Sequence, residues 1–138
     1  MNQIKEQAII KPVTLPNGVQ VINLTSHAIW FWHDLWDDPV EVPISYVLNA
    51  DVRTETEWRG KGYAVVSLNY TERPGDREFL VDLKNKYPEA VLVGSIIAAE
   101  TFYGLVVAPS FYNSAREKKH TQAVRYNRAN RFTTKKRK

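Results

Sequence analysis

The first third of the chain alternates apolar runs with turn residues at the spacing of short strands. Residues 8–14 and 19–24 are rich in β-formers, and they flank the tetrapeptide Leu-Pro-Asn-Gly at positions 15–18. Asn-Gly between two such runs is a strong short-range signal for a hairpin. The pattern therefore predicts an antiparallel β-hairpin here, followed by a strand that runs into a turn over residues 28–38 and another strand over residues 40–47.

The second half has the pattern of a strand, a helix and another strand. Residues 63–70 are a β run, and residues 76–87 place apolar side chains at helical spacing behind Asp76, a favourable cap. Pro88 ends this helix, and residues 90–98 form a continuous apolar run, which is typical of a strand buried on both faces. This order predicts a βαβ unit with a right-handed crossover.

Residues 51–61, between these two halves, are polar and charged, which predicts an exposed connection or an edge hairpin. The patterns together favour an α+β or α/β fold. We expect a mixed sheet with the N-terminal antiparallel hairpin and the C-terminal βαβ unit, and a basic C-terminal tail. Trp30 and Trp32 fall on one face of their predicted strand and Phe31 on the other, so at least one face is either core or an interface with other copies or partners.

Composition narrows the class of protein. The chain has 138 residues, of which 43% are hydrophobic and 25% charged, the balance of a single soluble domain. It contains no cysteine, which excludes disulfides, thiolate nucleophiles and sulfur-ligated zinc. No apolar run reaches the roughly 18 residues of a membrane span, and the N-terminus lacks the pattern of a secretory signal. We therefore expect no membrane partner and a cytoplasmic location by default.

The charges are segregated along the chain. Residues 1–115 hold 9 Lys and Arg against 14 Asp and Glu, whereas residues 116–138 hold 10 Lys and Arg against Glu117 alone. We interpret residues 1–115 as an acidic globular domain and residues 116–138 as a basic segment at least partly packed on it. A basic terminal segment is typical of an arm that contacts phosphate, although a solubilising tail or one that folds back on an acidic body has the same composition.

The basic segment interleaves aromatic side chains with arginines, an arrangement that can stack on bases. The same aromatics could instead anchor the segment to the domain. A second anion site is predicted where the first strand of the βαβ unit ends, because ligands of open α/β sheets bind at the carboxyl ends of strands. The predicted ligand-binding and phosphate-binding residues are Arg73, Arg116, Arg125, Arg128, Arg131, Tyr126 and Phe132.

Three further motifs have a functional and a plainer structural interpretation. His33, Asp34, Asp37 and Asp38 could form an oxygen-rich metal site, but such clusters beside proline are usually solvated turns. The segment Arg-Gly-Lys-Gly-Tyr-Ala at positions 59–64 fits the pyrophosphate loop of the GNAT acetyltransferases, yet a strand follows it where that loop requires a helix. Ser26 and His27 are a nucleophile and a base in sequence, but adjacent side chains point apart on a strand, so we expect His27 to be a structural histidine that bonds the backbone.

The segment Val-Ile-Asn-Leu-Thr-Ser-His-Ala-Ile at positions 21–29 resembles the opening of a family of small phage and prophage proteins with an Asn-Leu-Thr-Pro-His signature. Ser26 stands where that signature has proline. The resemblance extends over most of the chain, through Pro-Gly-Asp at 74–76, residues 83–88 and 93–99, and Arg-Phe-Thr-Thr at 131–134. It implies a viral origin and one integrated domain, and it supplies no catalytic residues, because no activity is attached to the family.

For each candidate catalytic motif the structural interpretation is favoured over the catalytic one. For the segregated charge, the functional interpretation is favoured. We therefore expect a phage-associated protein that is non-enzymatic, needs no cofactor or metal, and binds an anionic nucleotide-type ligand or nucleic acid through its basic C-terminal segment. The expected locations are the host cytoplasm or the virion. The alternatives are a structural component of a virion or other large assembly, with the tail docked on an acidic partner or nucleic acid, and an enzyme that uses residues 33–38 or Glu100 with Arg73.

Overall fold

The computed structural model describes residues 10–33, 35–111 and 126–136 of the chain. Its strands and helices follow one another in the order β1 (Val13–Thr14), β2 (Gln20–Asn23), β3 (Ile29–Trp32), β4 (Val40–Val42), β5 (Asp51–Arg59), β6 (Tyr63–Thr71), α1 (Asp76–Lys86), β7 (Ala90–Val93), α2 (Ile96–Thr101), β8 (Ala108–Phe111) and β9 (Tyr126–Thr133). The class is mixed α and β, as the sequence predicts, with strands predominating. The described residues contain no helix long and apolar enough to cross a bilayer.

The first sheet has the order β1-β2-β7. β1 and β2 are antiparallel, with Val13 opposite Val21, which confirms the predicted N-terminal hairpin. Its turn is closed by the Leu15 amide donating to the Val19 carbonyl at 2.8 Å, and Gly18 takes the positive φ of 88° that this turn requires. β2 and β7 are parallel, in register from Gln20 opposite Ala90 onwards.

The second sheet has the order β4-β3-β9-β8. β3 is antiparallel to β4 and parallel to β9, and β9 is antiparallel to β8 with a register shift between Pro109 and Phe111. β9 is therefore an inner strand of this sheet. The described part of the basic C-terminal segment thus forms part of the domain. A single parallel bridge between Val93 and Val107 connects the first sheet to the chain that leads into β8.

Two apolar clusters divide the core into layers, because successive side chains of a strand point to opposite faces. Ile22 and Leu92 face a cluster that includes Leu80 of α1 and Phe102 after α2. Their neighbours on the same strands face the second sheet and pack with Phe31 and Ala129. The first sheet therefore lies between the helices and the second sheet.

The predicted βαβ unit is wrong. β6 pairs with β5 over nine consecutive residue pairs and forms a separate two-stranded ribbon, while β7 pairs in parallel with β2. The polar segment over residues 51–61 supplies β5, as the edge-hairpin alternative predicted. A strand next in sequence is a nearer partner than one beyond a crossover, since closing a short loop costs less conformational entropy.

The apolar run over residues 90–98 is also divided, where a single strand was predicted. β7 ends at Val93, and α2 begins after Ser95, whose Oγ accepts the Ala98 amide at 3.1 Å as a helix cap. Gly94 fits this break, because a Cβ there would lie 2.8 Å from Cγ1 of Val106. The predicted helix over 76–87 is confirmed as α1, although its N-cap is Gly75 and Asp76 occupies the first turn.

Candidate functional site

The sequence Asn-Leu-Thr at residues 23–25, which we call the signature segment, lies in a buried polar network at the end of β2. Asn23 is fully buried. Its Nδ2 donates to the carbonyls of His27 at 2.9 Å and Val42 at 3.1 Å, and its Oδ1 accepts the Thr25 amide at 2.8 Å. The Thr25 hydroxyl lies 2.6 Å from Asn23 Oδ1 and 2.7 Å from the His27 carbonyl. Every donor and acceptor of the Asn23 amide is therefore satisfied.

This network joins parts of both sheets. Val42 belongs to β4 of the second sheet, and the Asn23 carbonyl accepts the Ser45 amide at 2.9 Å. His27 is exposed, with Nδ1 3.1 Å from the Ala28 carbonyl, so the predicted bond to the backbone is confirmed. The most distinctive motif of the sequence is thus a structural clamp, and its side chains are occupied in holding the fold.

The outer face of the second sheet carries a cluster of tryptophans. Ile29 and Phe31 of β3 face the core, whereas Trp30 and Trp32 face outward, as the alternation predicts. Trp32 is almost completely buried against Trp30 and Trp36, and its Nε1 donates to the Trp36 carbonyl at 3.3 Å. Trp30 and Trp36 are half-buried. Both residues keep part of their surface exposed, and Trp36 also packs against the inner cluster that contains Phe31.

β9 brings arginine to the same face. Arg128 is opposite Trp32 in the parallel β3–β9 register, and residues paired across strands project to the same side of a sheet. Asn127 projects inward, where its Nδ2 donates to the Trp30 carbonyl at 3.1 Å. We call Trp30, Trp32, Trp36 and Arg128 the tryptophan–arginine face.

The predicted ligand-binding residues are only partly gathered at this face. Arg128 is half-buried, and Arg131 is exposed near the end of the same strand, just before the exposed Lys135 and Lys136. Phe132 packs instead against Phe31 in the core, with ring centroids 6.1 Å apart, so this aromatic anchors the strand. Tyr126 begins β9 opposite Trp30. Two further predicted residues, Arg116 and Arg125, lie outside the described residues.

Arg73 belongs to a different part of the molecule. It precedes α1 in the helix layer, with Nε 3.9 Å from Oδ2 of the buried Asp76. Arg77 is paired with Glu72, and this hydrogen bond raises the pKa of the guanidinium. The anion site predicted at the ends of β6 and β7 also loses its basis, because those strands belong to different sheets. The start of α1 is thus an acidic turn with paired cations.

The motif at residues 33–38 and the GNAT-like motif at residues 59–64 both fit the structural interpretation better than the functional one. The His33 Nδ1 accepts the Leu35 amide at 3.1 Å and the His33 carbonyl accepts the Trp36 amide at 2.9 Å, as in a tight turn, while Asp37 and Asp38 are exposed. Asp34 lies outside the described residues, within which no three His, Asp or Glu side chains are placed to hold a metal. The GNAT-like motif forms the tip of the β5–β6 ribbon and leads into a strand.

The sequence patterns did not identify the β5–β6 ribbon as a candidate interaction surface. Apolar side chains project from it into solvent: Trp58 is 74% exposed, Leu68 55%, Val52 53% and Val66 52%. Along β5, uncharged residues from Val52 to Trp58 alternate with charged ones, and this alternation is the signal that could have identified a two-faced ribbon. Exposed apolar groups concentrated on one element are typical of an interaction surface.

Comparison with known proteins gives no match to any family model, curated protein or solved structure.

Proposed function

We propose that this protein is a phage-associated, non-enzymatic accessory protein that binds a phosphate-bearing ligand of nucleotide type, either free or within nucleic acid, through its basic C-terminal segment. The observation that carries this proposal is the register of β9, which places Arg128 beside the tryptophans of β3. The viral association rests on the resemblance of residues 21–29 and the later segments to phage proteins.

The chemistry of the tryptophan–arginine face suits such a ligand. Half-buried indole rings offer π-faces on which a base can stack, and a guanidinium can stack on a base or bond a phosphate. Trp32 is almost completely buried and donates its N–H within the protein. The rings of Trp30 and Trp36 are therefore the stacking groups. Trp30 and Arg128 are fixed on neighbouring strands, and Trp36 lies in the turn that follows β3. Holding these groups in place reduces the entropy lost on binding.

Charge segregation adds direction to this binding. Residues 1–115 are net negative and residues 116–138 strongly positive, so an anionic ligand is repelled from the body and attracted to the C-terminal segment. Arg131, Lys135 and Lys136 are exposed at or beyond the end of β9. Phosphates next to a base held by the tryptophans would meet these cations.

Binding of a labelled single-stranded oligonucleotide and of a nucleoside triphosphate, measured at two salt concentrations, tests the proposal. We expect Arg128→Ala to weaken binding about fivefold or more, the loss of one stacking contact, and Arg131→Ala to reduce the salt dependence by about one phosphate contact. Lys61→Ala, which removes an exposed cation at the ribbon tip, is the control. Equal effects of Arg128→Ala and Lys61→Ala would contradict a site on β9. Binding of the oligonucleotide alone would identify nucleic acid as the ligand, and binding of the triphosphate alone would identify a free nucleotide.

A second candidate function is that of a structural component in a virion or other large assembly. The exposed apolar residues of the β5–β6 ribbon favour it, since an isolated two-stranded ribbon gains stability by packing against another surface. In this role the basic segment docks on packaged nucleic acid or an acidic partner. Co-purification of the full chain with assembled particles, and its release by high salt, would support this second function over the first.

A further inference from the structure

The β5–β6 ribbon has one charged face and one uncharged face. Residues paired across the two strands share a face, which sorts the ribbon into two sets of positions. The uncharged set consists of the pairs Val52 with Tyr70, Thr54 with Leu68, Thr56 with Val66 and Trp58 with Ala64. All five charged residues of β5 are on the opposite face, which is the usual sign of a surface built for contact on one side only.

β5 also presents a long, regular edge. All nine of its residues are exposed, and its pairing with β6 continues without a register shift. In the described part of the chain no strand lies along its other edge. Proteins usually protect such an edge with proline, a bulge or a covering element, because its backbone groups can pair with another strand. β5 contains neither proline nor a bulge.

The sequence of β5 is complementary to itself in the antiparallel direction. When Asp-Val-Arg-Thr-Glu-Thr-Glu-Trp-Arg is laid against a second copy about Glu55, Asp51 is opposite Arg59 and Arg53 is opposite Glu57. Two-fold symmetry repeats each pair, which gives four pairs of opposite charge. Charges on an edge strand normally repel a second copy, but this order makes them attract it.

The apolar positions follow the same symmetry. Val52 falls opposite Trp58 of the second copy, and Thr54 falls opposite Thr56, both on the uncharged face. Trp58, the most exposed of the apolar ribbon residues, would therefore be covered by a valine across the interface. β6 lacks this property, because its sequence Tyr-Ala-Val-Val-Ser-Leu-Asn-Tyr-Thr contains no charges to pair.

We propose that the β5 edge is a self-association site, at which two copies of this chain pair antiparallel about Glu55 to form a four-stranded sheet. Like most two-fold interfaces it is isologous, with each copy contributing the same strand. The site is separate from the tryptophan–arginine face, so it goes beyond the proposed ligand binding. A contact made mainly by one nine-residue strand from each copy belongs among the weaker, reversible interfaces.

Glu55 is the one position where the symmetry opposes pairing, because it falls opposite itself. Within one chain its Oε1 accepts a hydrogen bond from Nδ2 of Asn69 at 3.3 Å. In the paired form, the two Glu55 carboxylates would face each other across the two-fold axis. Glu55→Gln removes this repulsion and keeps an acceptor for Asn69. We therefore expect Glu55→Gln to strengthen association severalfold. If Glu55 had only a structural role, the substitution would not strengthen association.

Cross-linking tests the register directly, because the chain has no natural cysteine. Glu55→Cys puts two thiols face to face at the axis, and mild oxidation should yield a covalent dimer. The control Arg59→Cys lies on the same face, but the two thiols would be separated by about eight residues of strand, roughly 27 Å. Cross-linking of the Glu55→Cys protein alone supports the proposal. Equal cross-linking of both proteins, or of neither, overturns it.

Charge exchange gives a second test, read by sedimentation of the full chain. Arg53→Glu and Glu57→Arg each place like charges opposite one another at two symmetric positions, and each should weaken association about tenfold or more. The double variant restores opposite charges and should recover wild-type association. Glu89→Arg, an exposed charge outside the ribbon, serves as the control for net charge. Failure of the double variant to recover, or a wild-type chain that stays monomeric at high concentration, overturns the proposal.

Discussion

The signature segment around Asn23 and the β5–β6 ribbon are opposites in how they place polar and apolar groups. Asn23 is a polar side chain with no exposure and all its hydrogen bonds made within the protein, whereas Trp58 is a large apolar side chain that is 74% exposed. Burying polar groups is tolerable only when each is bonded, and exposing apolar groups is costly unless they are covered in use. The contrast teaches that the distinctive motif maintains the fold and that the less distinctive ribbon offers the contact surface.

Removal of the Asn23 amide should have the largest effect on stability. Asn23→Ala removes the side-chain donor to the Val42 carbonyl, one of the two donors to the His27 carbonyl and the acceptor of the Thr25 amide, so the free energy of unfolding should fall by about 3 kcal/mol. In a domain of this size that lowers Tm by about 10 °C, measurable by calorimetry. Asn17→Ala, which removes an exposed donor to the Ala129 carbonyl, should cost far less, and equal losses would mean that Asn23 is not a clamp.

A matched pair of valines sharpens the contrast between the regions. Val21 is fully buried between the sheets, and Val66 of the ribbon is 52% exposed. Val21→Thr buries a hydroxyl in an apolar cluster and should cost about 2 kcal/mol, while Val66→Thr should change stability by less than about 0.5 kcal/mol. A large loss from Val66→Thr in denaturant titrations of the dilute monomer would show that the ribbon is part of the core.

Two glycines provide a similar contrast. A Cβ at Gly94 would lie 2.8 Å from Val106 and 3.0 Å from Ala98, whereas one at Gly62, beside the ribbon tip, would meet nothing within 4 Å. Gly94→Ala should therefore destabilise the protein by about 1–3 kcal/mol through overpacking. Gly62→Ala should be nearly neutral in the same urea titration. If both were neutral, the close contact between β7 and the chain before β8 would be disproved.

Among the substitutions of buried residues, the smallest effect is expected from Thr25→Val. The hydroxyl serves either Asn23 Oδ1 or the His27 carbonyl with its single proton, and both of these acceptors also receive another donor. Its loss should cost about 1 kcal/mol, the net value of one hydrogen bond. Thermal unfolding of Thr25→Ser, which keeps the hydroxyl, is the control. A loss as large as that of Asn23→Ala would move the centre of the network to Thr25.

Local patterns predicted the elements better than their partners. The hairpin at residues 15–18 and the helix ended by Pro88 depend on turn chemistry and spacing, which the sequence carries directly. The partner of β6 depends on competition between a neighbouring strand and a distant one, which no local pattern records. The apolar run over 90–98 was misassigned because Gly94 and Ser95 were counted as strand residues, although Ser95 caps a helix.

In the candidate site, too, local patterns predicted individual elements but not which strands pair with one another. Alternation placed Trp30 and Trp32 on one face of β3, and the basic segment was recognised from charge alone. The pairing of Arg128 with Trp32 across nearly a hundred residues could not be predicted, because a parallel neighbour is fixed by the whole sheet. Composition alone does not give the role of Phe132, because an aromatic beside arginines has the same pattern whether it stacks on a base or, as here, packs at a tilt against Phe31.

Amide hydrogen exchange at increasing protein concentration tests most directly whether the ribbon is a contact surface and the signature segment a structural one. Residues 22–28 should be protected to the same degree at every concentration. Within residues 51–59, the amides that point away from β6 should exchange rapidly in dilute protein and become protected as the concentration rises, an effect that Arg53→Glu abolishes. Rapid exchange of these edge amides at all concentrations, or protection of them independent of concentration, would contradict the assignment of β5 as a site of self-association.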